Sequence, residues 1–260
     1  MWYDRLIEYL VANGFSRGHA DRTLFIKKVE RELVVAQVYV DDIIFESTKD
    51  NLAHSFSSMT QIEFEISMIR ELIYFLGLQI RQNDSGIFIS QSKYVNNLVN
   101  KFVLEFASSV RTPISPNVKL TIDLLGRSVD STLYRSMLSS LLYFIASRLD
   151  VSYSVGVCAR YQTNPKESHV TVVKRIIKYV KSTSNSGVWY DKDTNDVLAG
   201  YSNADCASNA DDHKRAFGGC FYLRNNFVSW ISKKQNSIYL SIAEVEYIAA
   251  TSFYTQLLLM

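Results

Sequence analysis

The sequence predicts an α+β fold on three observations. Apolar, β-branched runs lack a helical period, other stretches repeat apolar residues at i, i+3, i+4 and i+7, and Gly/Asn/Asp clusters punctuate the chain between neighbouring strands. At 260 residues and 47% apolar content, the chain can bury a substantial core as one large domain or two ordinary ones. Fourteen Phe and sixteen Tyr exclude the disordered class, and three Pro with ten Gly leave little room for linkers. A net charge of +2 assigns no partner by itself. Cys158, Cys206 and Cys220 are odd in number and lack C-x-x-C spacing, so neither a disulfide framework nor a zinc site is expected. No basic n-region with a long apolar stretch opens the chain, and no apolar run approaches the ~18 residues that span a bilayer, so no membrane association is expected.

Residues 2–11 set Trp2, Leu6 and Leu10 at helical spacing beside Ile7 and Val11, and Gly14 is a natural stop. A short strand over 23–27 precedes residues 33–45, which are rich in Val, Ile and Tyr and read as β. That run is about twice the usual strand length of ~5 to 6 residues, so it should break, and Asp41-Asp42 is the polar pair available to break it. A helix over 50–62 follows, with Leu52, Phe56 and Met59 on one face and Thr48 or Asp50 as candidate caps. Strands are expected at 64–69, 74–80 and 87–90, the last two joined by the turn signal QNDSG.

Val95, Leu98, Val99 and Phe102 mark a helix that ends before Pro113. The stretch 108–131, with Pro113, Pro116 and Gly126, is the best candidate for a domain boundary. Helices over 133–147, 151–161 and 166–183 come next, then strands near 187–190, 197–201, 219–223 and 227–230. A final helix over 242–260 has no stop signal, and the first helix has no preceding cap. The chain is therefore expected to be truncated at both ends.

The stretch QVYVDDIIF, residues 37–45, places two carboxylates among residues that favour burial. One reading is a polar two-residue hairpin loop. Against it, such turns favour Asn-Gly or Asp-Gly, because positive φ is costly for a residue with a Cβ. Flanking strands this apolar are expected to be covered on both faces, which leaves adjacent anions near low-dielectric material and in need of a cation. Magnesium suits them: it accepts one or two protein carboxylates and fills its other positions with water and phosphates. In two-metal phosphoryl-transfer sites the ions lie ~3.5 to 4 Å apart and stabilise the attacking and leaving oxygens.

The same residues, with WYDRLIEYLVANGFSRGHADRTLF, FLGLQIRQNDSGIFISQSKYV, YRSMLSSLLYFIASRLD, NPKESHVTVVKRIIKYVKST and SWISKKQNSIYLSIAEVEYIAA, resemble the reverse transcriptase and RNase H region of copia-type LTR retrotransposon Pol polyproteins. The resemblance covers essentially the whole chain. It implies a partial palm and thumb of a right-hand polymerase over 1–107, a helical connection over 108–186, and an incomplete RNase H-like α/β domain over 187–260. It further implies an RNA-directed DNA polymerase that uses Mg2+ in a two-metal site, with an RNA or DNA template-primer and dNTPs as partners.

Residue by residue, the resemblance makes Asp41 a metal ligand, Asp42 its close partner, and Tyr39 a neighbour of the nucleotide and primer end. Leu76 and Gly77 fall in the family's primer-grip strand, where Gly admits close backbone approach; a simple bulge explains Gly77 equally well. Lys174, Lys178 and Lys181, with Arg175 alongside, form a basic helix face that either tracks phosphates or is merely solvated. His169 on that helix reads as a capping or packing residue, because no second His lies at helical spacing.

Departures from the family bear on activity. A further metal-binding aspartate expected upstream of MWYDRL is absent, so the isolated chain is not expected to polymerise. The family's Y-S-D-A-D reads here Tyr201-Ser202-Asn203-Ala204-Asp205, with a neutral amide at the ligand position and Asp205 too far along the strand to replace it. Glu246 matches the RNase H catalytic glutamate and Glu244 is expected to face solvent, yet no RNase H activity is expected. Leu149, where the family has Pro, should affect only a helix boundary. Three readings follow: a reverse transcriptase fragment, a non-catalytic relic that at most binds nucleic acid, and a host protein that uses an RNase H-like sheet for interactions. Protein partners are unknown, and with no disulfide framework or signal peptide a reducing, intracellular compartment is the default expectation.

Overall fold

The computed structural model describes residues 2–68, 71–104, 107–115, 118, 120–193, 197–204, 216–234 and 241–259. Helices and antiparallel strands together make the mixed α and β fold expected from the sequence. The chain separates into two units, Met1–Glu71 and Leu72–Met260.

In the first unit, helix α1 (Trp2–Ala12) buries Leu6 and Leu10, and Gly14 follows it at φ +84°. Strands β1 (Ser16–Arg17), β2 (Leu24–Val29), β3 (Glu32–Tyr39) and β4 (Asp42–Ser47) form one antiparallel sheet in that order, and helix α2 (Asp50–Glu63) follows. Burial alternates along β3. Val34, Ala36 and Val38 join Phe25, Leu6, Leu10 and Phe56 in the core, while Val35 and Gln37 stay half-exposed on the opposite face.

The expectation that these strands are covered on both faces is thus corrected. Each is an ordinary one-sided antiparallel strand whose second face carries Ile and Val only partly shielded. The caps expected of α2 differ too. Lys49 is the N-cap and, with no acceptor on its side chain, makes no cap bond, while the Thr48 hydroxyl serves the start of β3 instead, accepting from Leu33 N at 3.0 Å and donating to Glu32. No strand forms over 64–68: Phe64 instead turns into the core and meets the Tyr9 ring edge-on at 5.5 Å. Ile69 lies outside the described residues.

In the second unit, the strand expected over 74–80 is two strands, β5 (Tyr74–Phe75) and β6 (Leu78–Asn83), joined by a Leu76-Gly77 turn. Next come β7 (Gly86–Ser90) and helices α3 (Ser92–Lys101), α4 (Ser131–Phe144), α5 (Ser152–Ala159) and α6 (Glu167–Ser182). Strand β8 (Gly187–Asp191) then returns to pair antiparallel with β7, completing a sheet ordered β5-β6-β7-β8. The helices share a core built on Val95, Leu98, Tyr134, Leu141, Phe144, Val173 and Ile177.

Two polar devices hold this bundle. Arg148 is only 3% exposed and reaches the Asp150 carboxylate by two bonds of 2.8 and 2.7 Å, while its Nη1 donates to Thr183 O at 2.7 Å. Burial pushes the Asp150 carboxyl up, but the Arg148 guanidinium and the Tyr179 hydroxyl outweigh it and hold the group below the ordinary aspartate range. His169 is fully buried, accepts from Lys166 N at 3.0 Å through Nδ1, and stacks on Tyr161 at 4.3 Å. It is a capping and packing histidine, as read from the sequence. Beyond the bundle, β9 (Leu198–Ala204), β10 (Ala216–Leu223) and β11 (Asn226–Lys234) form an antiparallel sheet ordered β11-β10-β9, and helix α7 (Ile242–Leu259) lays Val245, Ala249 and Phe253 on Phe217 and Phe221. Among the described residues no helix is long and apolar enough to cross a membrane.

Candidate active site

The acidic pair sits where β3 gives way to β4. Tyr39 is the cross-strand partner of Asp42, so the two-residue turn consists of Val40 and Asp41, and Asp42 is the first residue of β4. The break falls one residue earlier than an Asp41-Asp42 tip. Its physical reason is register: burial of Val34, Ala36 and Val38 fixes the phase of β3, and pairing Val38 with Ile43 leaves Val40-Asp41 to turn the chain. Val40 takes φ +50°, a left-handed conformation that a β-branched residue adopts only under constraint, and its side chain is 68% exposed.

Alternation then assigns the faces. Val38 and Ile43 belong to the core side, so Tyr39 and Asp42 lie on the open side of the sheet, away from α1 and α2. Asp41 and Asp42 are both exposed, and no described residue forms an ion pair with either. Their oxygens are hard ligands of the kind magnesium accepts. They supply only part of its shell: among the described residues no three His, Cys, Asp or Glu side chains gather as a metal group.

The other sequence candidates belong to the second unit. Leu76 and Gly77 both take positive φ, +47° and +76°, in a tight turn rather than a bulge. A Cβ on Gly77 would lie 1.9 Å from the Tyr143 hydroxyl, which donates to Leu76 O. The close approach that Gly77 permits in this structure is therefore to Tyr143 of α4, a partner sequence reasoning missed because it lies far along the chain. On α6, Arg175 donates to Thr112 O at 3.2 Å and to Thr112 Oγ1 at 3.0 Å, and Lys181 donates to Ala107 O at 3.4 Å. Two of the four basic residues thus hold the 107–112 segment, while Lys174 is exposed and Lys178 partly so. Glu246 lies on the exposed side of α7. Asn203 lies on the face of β9 that α7 does not cover, since Gly200 and Ser202 share the α7 side with Phe221 and Gly219. Asp205 is outside the described residues.

Residues 1–116 match the family model described as reverse transcriptase (RNA-dependent DNA polymerase). This stretch belongs to the reverse transcriptase family. The chain is 34% identical over 246 residues to the retrovirus-related Pol polyprotein from transposon RE1 of Arabidopsis thaliana, and 32% identical over 247 residues to that from transposon RE2 of the same plant. Each alignment covers 95% of this chain, bearing out the resemblance to copia-type Pol polyproteins, but the chain spans only 17% of the length of either relative. An uncharacterized mitochondrial protein of Arabidopsis thaliana is 27% identical over 81% of this chain and 87% of its own length. No solved structure matches. The Val40-Asp41 turn lies within the matched stretch and sets two carboxylates beside a strained backbone.

Proposed function

We propose that the Tyr39–Asp42 turn is the nucleotidyl-transfer centre of a copia-type RNA-directed DNA polymerase, acting on template-primer and dNTP. One observation carries it: two adjacent exposed carboxylates at the end of a sheet whose other face is anchored in the core. Asp41 is the metal ligand and Asp42 its partner, while Tyr39, opposite Asp42, lies against the nucleotide and primer end. Magnesium, when bound, would neutralise the triphosphate and activate the primer hydroxyl. The protein's own task is positional, since a hairpin that carries two carboxylates on successive residues delivers both to one place. The division into palm and thumb (1–107), connection (108–186) and RNase H-like part (187–260) belongs to the same reading, as do primer contact at Leu76-Gly77, phosphate contact at Lys174 and Lys178, and a vestigial role for Glu246.

As an isolated chain the protein is proposed not to polymerise, because a pair of carboxylates holds two metals poorly. The second reading is a non-catalytic relic that at most binds nucleic acid. The test has two arms. Mn2+ added to labelled protein should broaden the signals of Asp41 and Asp42 selectively and lose that effect in Asp41→Asn/Asp42→Asn; uniform or absent broadening sinks the metal assignment. Primer extension with Mg2+ should not exceed that of Asp41→Asn, and extension that depends on Asp41 would reverse the inactivity.

A further inference from the structure

Residues 123–126 make a turn that is tied down on both sides. Gly126 N donates to Asp123 O at 3.0 Å, and Asp123 takes φ +50°. Upstream, the Tyr161 hydroxyl donates to Leu120 O at 2.8 Å. His169, whose Nδ1 already accepts from Lys166 N, donates through Nε2 to Thr121 O at 2.7 Å. Ser168 Oγ donates to the Asp123 carboxylate, and downstream Glu167 N donates to Arg127 O at 3.0 Å. The apex carries Leu124 and Leu125, 84% and 101% exposed, with Ile122 also exposed beside them. A turn pinned at both ends to the start of α6 holds these side chains off the core, so two successive leucines stand in water as an apolar knob.

A recess of matching size lies elsewhere on the same unit. Tyr153, Gly156, Val157 and Arg160 recur at i, i+3, i+4 and i+7 and so share one face of α5, opposite its core residues Val155 and Cys158. With Ser232 of β11 they line a cleft of about 220 Å³. An apolar cavity of roughly 150 Å³ already takes a benzene ring, so a leucine side chain fits here. A Cβ on Gly156 would meet nothing within 4 Å. Glycine in a helix interior is disfavoured against alanine, and no described neighbour requires it, which leaves the floor of the cleft open at a cost to the helix. Charge matches as well as shape: Arg160 forms no ion pair with a described residue, and Asp123 stands at the base of the knob.

We infer that this protein associates with a second copy of itself, the Leu124-Leu125 knob of one seating in the α5–β11 cleft of the other with Asp123 facing Arg160. Knob and cleft are different surfaces of one chain, so the contact needs no other partner. It is independent of the polymerase reading.

Sedimentation velocity of the full chain, from micromolar to near-millimolar concentration, should show the average mass rising above that of one chain. Leu124→Ser/Leu125→Ser changes only exposed side chains, and Gly156→Leu fills the cleft while adding helix propensity, so both variants should stay folded. Each should weaken association at least about tenfold, the worth of one buried leucine. Arg160→Glu should weaken it too, by setting two carboxylates face to face. Mixed in equal amounts, the knobless and the cleft-filled variants should associate more tightly than either does alone, since one keeps the cleft and the other the knob. Wild type that sediments as a single chain throughout overturns the inference. So does association that survives Gly156→Leu or Arg160→Glu unchanged, or a mixture of the two variants that recovers nothing.

Discussion

Of the two-residue hairpin turns among the described residues, Val40-Asp41 and Leu76-Gly77 carry left-handed backbone under opposite conditions. At Val40-Asp41, left-handed backbone is carried by an exposed β-branched residue, and nothing described ties the adjacent carboxylates down. At Leu76-Gly77, left-handed backbone is shared by a Leu and a Gly and is clasped by the Tyr143 hydroxyl, whose ring meets Tyr94 edge-on at 4.8 Å. Strain that the surrounding packing accounts for is architecture. Left-handed backbone also occurs at the exposed Glu30 of the β2–β3 turn, so at Val40-Asp41 it is the adjoining pair of carboxylates, not strain alone, that marks a candidate centre.

That contrast can be broken at several points. Gly77→Ala should have the largest effect, since a Cβ meets both unfavourable φ and the Tyr143 hydroxyl; a loss of about 3 kcal/mol in urea unfolding is expected. Val40→Gly should act in the opposite direction, raising stability by about 1 kcal/mol as strain is relieved, while weakening Mn2+ binding at the looser turn. A destabilised Val40→Gly would show that the tip is not strained. Tyr143→Phe should lose about 1 kcal/mol, and in the double variant with Gly77→Ala the combined loss should fall short of the sum. Smallest of all, Asp41→Asn/Asp42→Asn should shift stability by less than about 0.5 kcal/mol, because exposed carboxylates with no described ion pair contribute little to folding.

Acid sharpens the same contrast on a carboxylate that does have partners. The Asp150 carboxyl is held below its ordinary value, so its stabilisation is complete above the unfolded-state value and disappears as pH falls through the folded one. Asp150→Asn should flatten that acid limb in a thermal melt series.

Most elements were legible because their signals are local. Leu6 and Leu10 gave α1, Val95, Leu98 and Val99 gave α3, and Asn83 with Gly86 gave the β6–β7 turn. The acidic hairpin was legible as a break but not in phase, because turn propensity favours Asp over Val while register obeyed the buried face of β3. Residues 64–68 carried β-forming side chains yet no strand, since Phe64 found its place against Tyr9. The uses of Tyr143, Arg175 and Lys181 escaped sequence reasoning altogether: each is defined by a partner 67, 63 or 74 residues away.

The pairing of β7 with β8 has a consequence for how this protein is made. While the chain leaves the ribosome, Gly86–Ser90 waits with a bare edge until Gly187–Asp191 emerges, after the whole helical segment. Such an edge is a template for wrong partners, and closing so long a loop is slow. The nascent second unit therefore exposes an unpaired strand edge until residue 187 is made, and a ribosome stall before that point should release a product prone to aggregate.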